Sequence, residues 1–176
     1  MNDSRRDTLK FIFGRRSIRA YAPGDVPEAD LQLMLEAAMA APSAVAKDPW
    51  RFVVVRDQAR RVELARELPN GQMLPAAALG IVVCGDLEQA HDRQLSYLLQ
   101  DCSAAIENLL LAAHALGYGA CWLGVHPREN RVHHIRKVLG VPATVIPVAI
   151  VAIGRPGERK EARTRFNPAF VHREQW

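Results

Sequence analysis

Ala112-Ala113-His114-Ala115-Leu116-Gly117-Tyr118-Gly119-Ala120-Cys121-Trp122-Leu123-Gly124-Val125 is the segment that says most about the architecture of this chain. Its first half ends a helix that starts near Asp92, and its second half is extended. On that helix Ala104, Ala105, Leu109, Leu110, Ala112 and Ala113 cover more than half the circumference. A helix that is apolar nearly all round is buried, either in a core or between subunits. Its small residues also let a second helix approach closely. Gly117 ends the helix, because glycine takes a left-handed turn without a Cβ penalty. The pair Gly117-x-Gly119 follows a helix rather than a strand, so it reads as a helix stop plus close packing. Ala120 to Val125 then leaves as a strand.

On either side of this segment, helices and short apolar strands alternate. A first helix is expected over Ser4 to Phe13, with Leu9, Ile12 and Phe13 facing inward. Asp25 offers a cap to a second helix, Pro27 suits its first turn, and Leu31, Leu35 and Ala38 recur until Pro42. Arg51 to Arg56 is a β-branched strand and Asp57 to Leu68 an amphipathic helix. Asn70-Gly71 marks a turn, and Leu79 to Cys84 a buried strand. Beyond the central stretch come a helix over Pro127 to Leu139, a strand over Val145 to Ile153, and an extension from Gly154 to Trp176. The pattern predicts one α+β domain of three layers over residues 1–176; sheet order does not follow from it.

Bulk properties fit a compact globular protein. The chain has 176 residues, 49% hydrophobic and 24% charged, enough to bury a core alone. Its longest apolar runs are too short to span a bilayer. Arg5 and Arg6 are not followed by the apolar core of a signal peptide. Cys84, Cys102 and Cys121 are odd in number, widely spaced and set among apolar residues. A disulfide framework or metal knuckle is therefore not expected, and a reducing cytoplasmic setting is.

The net charge of +4 gathers at the two ends. Arg15-Arg16-Ser17-Ile18-Arg19 puts three guanidiniums and a hydroxyl within five residues. A guanidinium fork matches two phosphate oxygens at once. The far end carries Arg163-Thr164-Arg165-Phe166. No nucleic-acid-binding motif accompanies either cluster, so a discrete anion site is the simpler reading. Ser43 lacks a nucleophile elbow, no Walker loop is present, and His133-His134 has no partner at metal spacing. His114 reads as a packed or interface histidine.

Taken in order, these segments resemble the flavin-dependent nitroreductase family in its short form. Ala40-Ala41-Pro42-Ser43-Ala44, Pro49-Trp50-Arg51-Phe52-Val53-Val54-Val55, Trp122-Leu123-Gly124-Val125-His126-Pro127-Arg128-Glu129 and Leu139-Gly140-Val141-Pro142 carry the likeness from Arg15 to the C-terminus. The resemblance implies an α/β/α fold with a mostly antiparallel central sheet, FMN as cofactor and NADH or NADPH as co-substrate. It implies a homodimer with FMN at the interface, the extension 154–176 wrapping the partner through Phe166, Phe170 and Trp176. Arg15, Ser17 and Arg165 would hold the phosphate with Arg163 nearby, Arg16 the phosphate or ribityl end, and Arg19 the pyrimidine edge. The backbone of Leu123, Gly124 and Val125 would approach N5 and O4, while Pro42, Ser43 and Ala44 would come from the other subunit. No side chain is expected to act as a catalyst in its own right, because the flavin carries the hydride chemistry.

One departure stands out. Members commonly read Asn-x-Gln-Pro-Trp before the first long strand, where this chain has Ala46-Lys47-Asp48-Pro49-Trp50. The activity implied is transfer of hydride to a nitroaromatic, quinone or activated alkene by a ping-pong cycle. The missing amides keep open an alternative, a flavin-sequestering protein of the same fold with little turnover.

Overall fold

The computed structural model describes residues 4–176. Its elements run α1 (Ser4–Thr8), α2 (Lys10–Gly14), β1 (Tyr21–Ala22), α3 (Glu28–Met39), β2 (Trp50–Val55), α4 (Gln58–Ala65), β3 (Leu79–Asp86), α5 (Leu95–Ala115), β4 (Gly119–Gly124), α6 (Glu129–Leu139) and β5 (Val145–Pro156).

β5 is the hub of the sheet. It pairs antiparallel with β3 on a register from Leu79↔Ile153 to Asp86↔Val145, and with β4 from Gly119↔Gly154 to Gly124↔Ala149. β2 extends the sheet beyond β3, and the two-residue β1 pairs with Arg155 and Pro156. Alternation along these strands makes the layers. Ala149, Val151 and Ile153 join Ile81, Val83, Met34 of α3 and Ile106, Leu109 and Ala113 of α5 in one core. Ile150 and Ala152 join Val82, Cys121, Leu123, Leu64 of α4 and Ile135 of α6 in the other. The sheet is therefore buried on both faces, as its uninterrupted Val and Ile runs require.

Local chemistry explains several boundaries. Asp57 caps α4 by accepting from the Arg60 N–H at 2.8 Å. Gly117 ends α5 at φ 84° and Gly140 ends α6 at φ 66°. A Cβ on Gly119 would lie 2.7 Å from Ile18, so Gly117-x-Gly119 is a helix stop plus close packing.

Other expectations are corrected. The first helix breaks at Leu9 (φ −100°, ψ 7°), and Leu9 and Ile12 are 41% and 42% exposed rather than inward. Asp25 does not cap α3: Pro27 holds that position, and the Asp25 carboxylate takes the Val26 N–H and the Arg56 guanidinium. α5 starts at Leu95, because Asp92 and Arg93 adopt positive φ of 50° and 52°. His134 is anchored, its Nε2 lying 2.8 Å from the Glu63 carbonyl.

One irregularity shapes the end of β4. The β3–β5 register slips between Val83 and Cys84, leaving Val148 outside the ladder. The freed Val148 carbonyl accepts from both the Val125 and His126 N–H groups, each at 3.1 Å. Bulges re-aim a neighbouring chain in this way, and here the bulge fixes the exit of β4 just after Gly124.

Candidate functional site

The segment Arg15–Arg19 leaves α2 in extended conformation, starting with Arg15 at φ −60°, ψ 125°. Ile18 donates its N–H to the Ala120 carbonyl at 3.0 Å, and Ser17 forms a parallel bridge with Ala120. The basic segment is thus laid along the start of the strand that ends at Leu123 and Gly124. Alternation then separates its side chains. Arg19 lines a cleft of about 520 Å³ with Cys121, Leu123, Gly124 and Arg131. Arg16 and Ile18 turn the other way, into a recess of about 260 Å³ beside His114 and Lys160.

Charge converges here from both ends of the chain. The Arg16 guanidinium is held below the ordinary arginine range, first by desolvation and then by Arg163, Arg165 and Arg15 in that order. Its Nε is buried without a hydrogen-bond partner. Arg15 Nε lies 3.4 Å from Glu107 Oε1 of α5. Among the described residues, Arg16, Arg163 and Arg165 make no salt bridge. Several guanidiniums gathered with so little counter-charge are what a bound multivalent anion would relieve.

The cleft beside Arg19 is open over Gly124. A Cβ built on Gly124 would meet nothing within 4 Å. Arg131, from the first turn of α6, donates to the Gly124 carbonyl at 2.9 Å. Residues 68–73 form the opposite wall, held by the Gln72 amide donating to the Leu68 carbonyl at 3.1 Å. Among the described residues, no carboxylate lines this cleft.

Of the three buried thiols, Cys121 lines this cleft, while Cys84 and Cys102 do not. Burial pushes Cys84 and Cys102 up to about 12, so neither is a nucleophile at neutral pH. Among the described residues no group of His, Cys, Asp and Glu could hold a metal ion, and no helix is long and apolar enough to cross a membrane.

A family model for the nitroreductase family matches residues 12–72 and 63–155. The chain belongs to the nitroreductase family. An Archaeoglobus fulgidus protein, provisionally named an NADH dehydrogenase/NAD(P)H nitroreductase, is 44% identical over 173 residues, covering 97% of this chain and 99% of that one. A solved structure with the same provisional name, from Parabacteroides distasonis, superposes with a TM-score of 0.90 at 34% identity, covering 97% and 99%. An FMN-dependent nitroreductase from Clostridium difficile gives 0.87 at 32%, covering 96% and 99%. The α+β fold expected from the sequence, with its largely antiparallel sheet, is the nitroreductase fold.

The nitroreductase departure at residues 46–48 has a definite local structure. Ser43 Oγ donates to Asp48 Oδ1 at 2.5 Å, and the Asp48 N–H donates back to Ser43 Oγ at 3.0 Å. Asp48 therefore does not simply point to solvent beside Lys47. Its carboxylate occupies the Ser43 hydroxyl. The Ala44 N–H donates to Asp101 Oδ1 at 2.9 Å, and Val45, Ala46 and Asp48 all sit at positive φ. Pro42, Ser43 and Ala44 do not line the cleft of their own chain.

Sequence reasoning missed Arg131 and the 68–73 wall. Asn70-Gly71 was legible as a turn, and loops commonly carry function. Arg131 gave no signal, because its role depends on α6 folding back against Gly124.

Proposed function

We propose that this chain is an FMN-dependent NAD(P)H oxidoreductase acting on an electron-poor acceptor, a nitroaromatic, quinone or activated alkene. The observation that carries the reading is the convergence of Arg15, Arg16, Arg163 and Arg165 beside a carboxylate-free cleft that is open over Gly124. When bound, FMN supplies the hydride chemistry, taking hydride from NAD(P)H and giving it to the acceptor.

The chain's part is binding, orientation and electrostatics. Arg15, Ser17, Arg163 and Arg165 hold the phosphate, and Arg16 adds charge from behind the segment. The backbone of Leu123, Gly124 and Val125, set by the Val148 bulge, would hold one edge of the ring. Pro42, Ser43 and Ala44 cover the ring of the partner subunit in a homodimer. Phe166, Phe170 and Trp176, at 77%, 79% and 100% exposure, are the anchors of the arm 154–176 on that partner. The open side of the cleft over Gly124 would leave room for nicotinamide or acceptor. Three free, buried thiols suit a cytoplasmic setting.

A second reading, a flavin-holding protein with little turnover, rests on Ala46 and Asp48 standing where amides are usual. One preparation separates the two. The purified protein should be yellow with a flavin spectrum, bleach on adding NADH or NADPH, and recover with a quinone. Sedimentation at micromolar concentration should give a flavin-loaded dimer. A colourless protein ends both readings, a yellow one that NAD(P)H does not bleach favours the second, and a flavin-loaded monomer removes the interface assignment.

Arg19 tunes the bound ring. A fixed cation at the pyrimidine edge favours the negatively charged reduced ring, and the effect grows where water is excluded. Arg19→Ala should lower the flavin midpoint potential, with Arg19→Lys between. A potential unchanged in Arg19→Ala would remove this role and leave the phosphate site untouched.

A further inference from the structure

The β1–β5 ladder stops at Tyr21↔Pro156, yet the hydrogen bonding between these two stretches does not. Just past the ladder, the Gly157 N–H donates to the Ala20 carbonyl at 2.8 Å. Side chains then take over. Glu158 Oε1 accepts from the Arg19 N–H at 2.6 Å and the Ala20 N–H at 3.3 Å. Lys160 Nζ donates to the Ser17 carbonyl at 2.8 Å and lies 3.1 Å from the same Glu158 oxygen. Between them, Ile18 is held by its N–H on Ala120 and by the Tyr21 hydroxyl, 3.0 Å from its carbonyl. From Ser17 to Ala20 the backbone is thus tied on both sides, and two of the ties are side chains from the tail.

We infer that Glu158 and Lys160 are a latch, a pair of positioning residues that hold the arginine segment in register with the tail arginines. The inference rests on the FMN reading and goes further, assigning part of the phosphate affinity to side chains that act through the backbone of Ser17, Arg19 and Ala20. Its physical basis is pre-organisation. Arg15, Arg16 and Arg19 repel one another and the incoming Arg163 and Arg165, so an untied segment would splay before any anion arrived. A carboxylate accepting two backbone N–H groups opposes that repulsion at its centre. The rigid segment then binds without bearing the ordering cost at the moment of binding.

The Glu158 side of the latch is a carboxylate at neutral pH. The backbone N–H of Arg19, followed by Lys160, holds the Glu158 carboxyl below the usual carboxylate range, against the smaller upward effect of desolvation. A lowered folded value means the contribution is complete above the ordinary glutamate value. It is lost only as pH falls through the lowered one, so the Glu158 contacts persist across the neutral range.

The test uses Glu158→Ala, Glu158→Gln and Lys160→Met in the full chain, each titrated with FMN and with riboflavin. Glu158→Ala should weaken FMN about tenfold or more, the size of one charge-assisted hydrogen bond, and change riboflavin far less. Glu158→Gln should recover part of the loss, because the amide oxygen still accepts from Arg19 and Ala20 although its charge is gone. Lys160→Met should show a smaller loss with the same selectivity. Equal weakening of FMN and riboflavin, or Glu158→Gln no better than Glu158→Ala, would overturn the latch. Should Glu158→Ala not fold, Lys160→Met decides: an FMN-to-riboflavin ratio unchanged from the parent overturns the inference. Failure of the parent protein itself to prefer FMN over riboflavin would instead bring down the phosphate site, a separate outcome read from a separate sample.

Discussion

Changing Arg15 and Arg165 together to alanine is expected to weaken FMN binding by about a hundredfold or more and to leave riboflavin within about threefold. The effect is electrostatic and local. Each guanidinium would give charge-assisted hydrogen bonds to a doubly charged phosphate, worth roughly 1.5–3 kcal/mol apiece net. Arg165 is exposed, so solvent screening puts its share at the low end. Arg15 works the other way. It lies 3.4 Å from Glu107, and removing it leaves that carboxylate facing the site with its partner gone. Riboflavin lacks the phosphate and should not register either loss. Arg51→Ala is the control, since it removes one positive charge that pairs instead with Asp86. Fluorescence titration with both flavins measures the effect. A loss shared equally between them, or matched by Arg51→Ala, would show that these arginines do not hold the phosphate.

The largest stability effect should come from the contact between Gly85 of β3 and Leu98 of α5. Gly85 is buried between Trp50 and Ile146 on the neighbouring strands. A Cβ placed there would overlap the Leu98 side chain, which is 0% exposed and has nowhere to retreat. Gly85→Ala should therefore cost about 1–3 kcal/mol by overpacking. Leu98→Ala should cost about 2–5 kcal/mol, the lost transfer energy plus the cavity left behind. Combined, the two changes should cost less than their sum by about 1 kcal/mol, because the new methyl occupies part of the space that Leu98 vacates. Denaturant unfolding at one fixed protein concentration, with flavin removed, gives all three values. Strict additivity would mean that the two side chains do not share this space. The consequence reaches function, because α5 carries both Glu107, which faces Arg15, and Asp101, which holds the Ala44 N–H.

Short-range chemistry is legible in the sequence of this protein. Gly117 could end its helix by adopting positive φ, and the Val- and Ile-rich runs read as buried strands, whereas Asp57, expected inside α4, proved to be its cap. The all-round apolar helix of residues 95–115 demanded burial wherever it lay. The arginine segment gave reason to expect an anion site because its charges are adjacent in sequence. The ordered set of motifs was enough for the family and hence for the fold. Features that depend on how the chain folds back on itself were settled by packing instead. The two-residue β1 exists because Arg155 and Pro156 lie beside it, and no local pattern marks it. Arg16 faces away from Arg19 because Ile18 is bound to Ala120. Asp48 is tied to Ser43 because the turn between them brings the two together. Arg131 reaches Gly124 because α6 folds back against the end of β4, and Glu158 and Lys160 reach Arg19 and Ser17 because strand pairing to β5 closes those distances. A side chain's partner is set by which backbone comes to rest beside it, and that depends on packing the whole chain, not on the residues next to it in sequence.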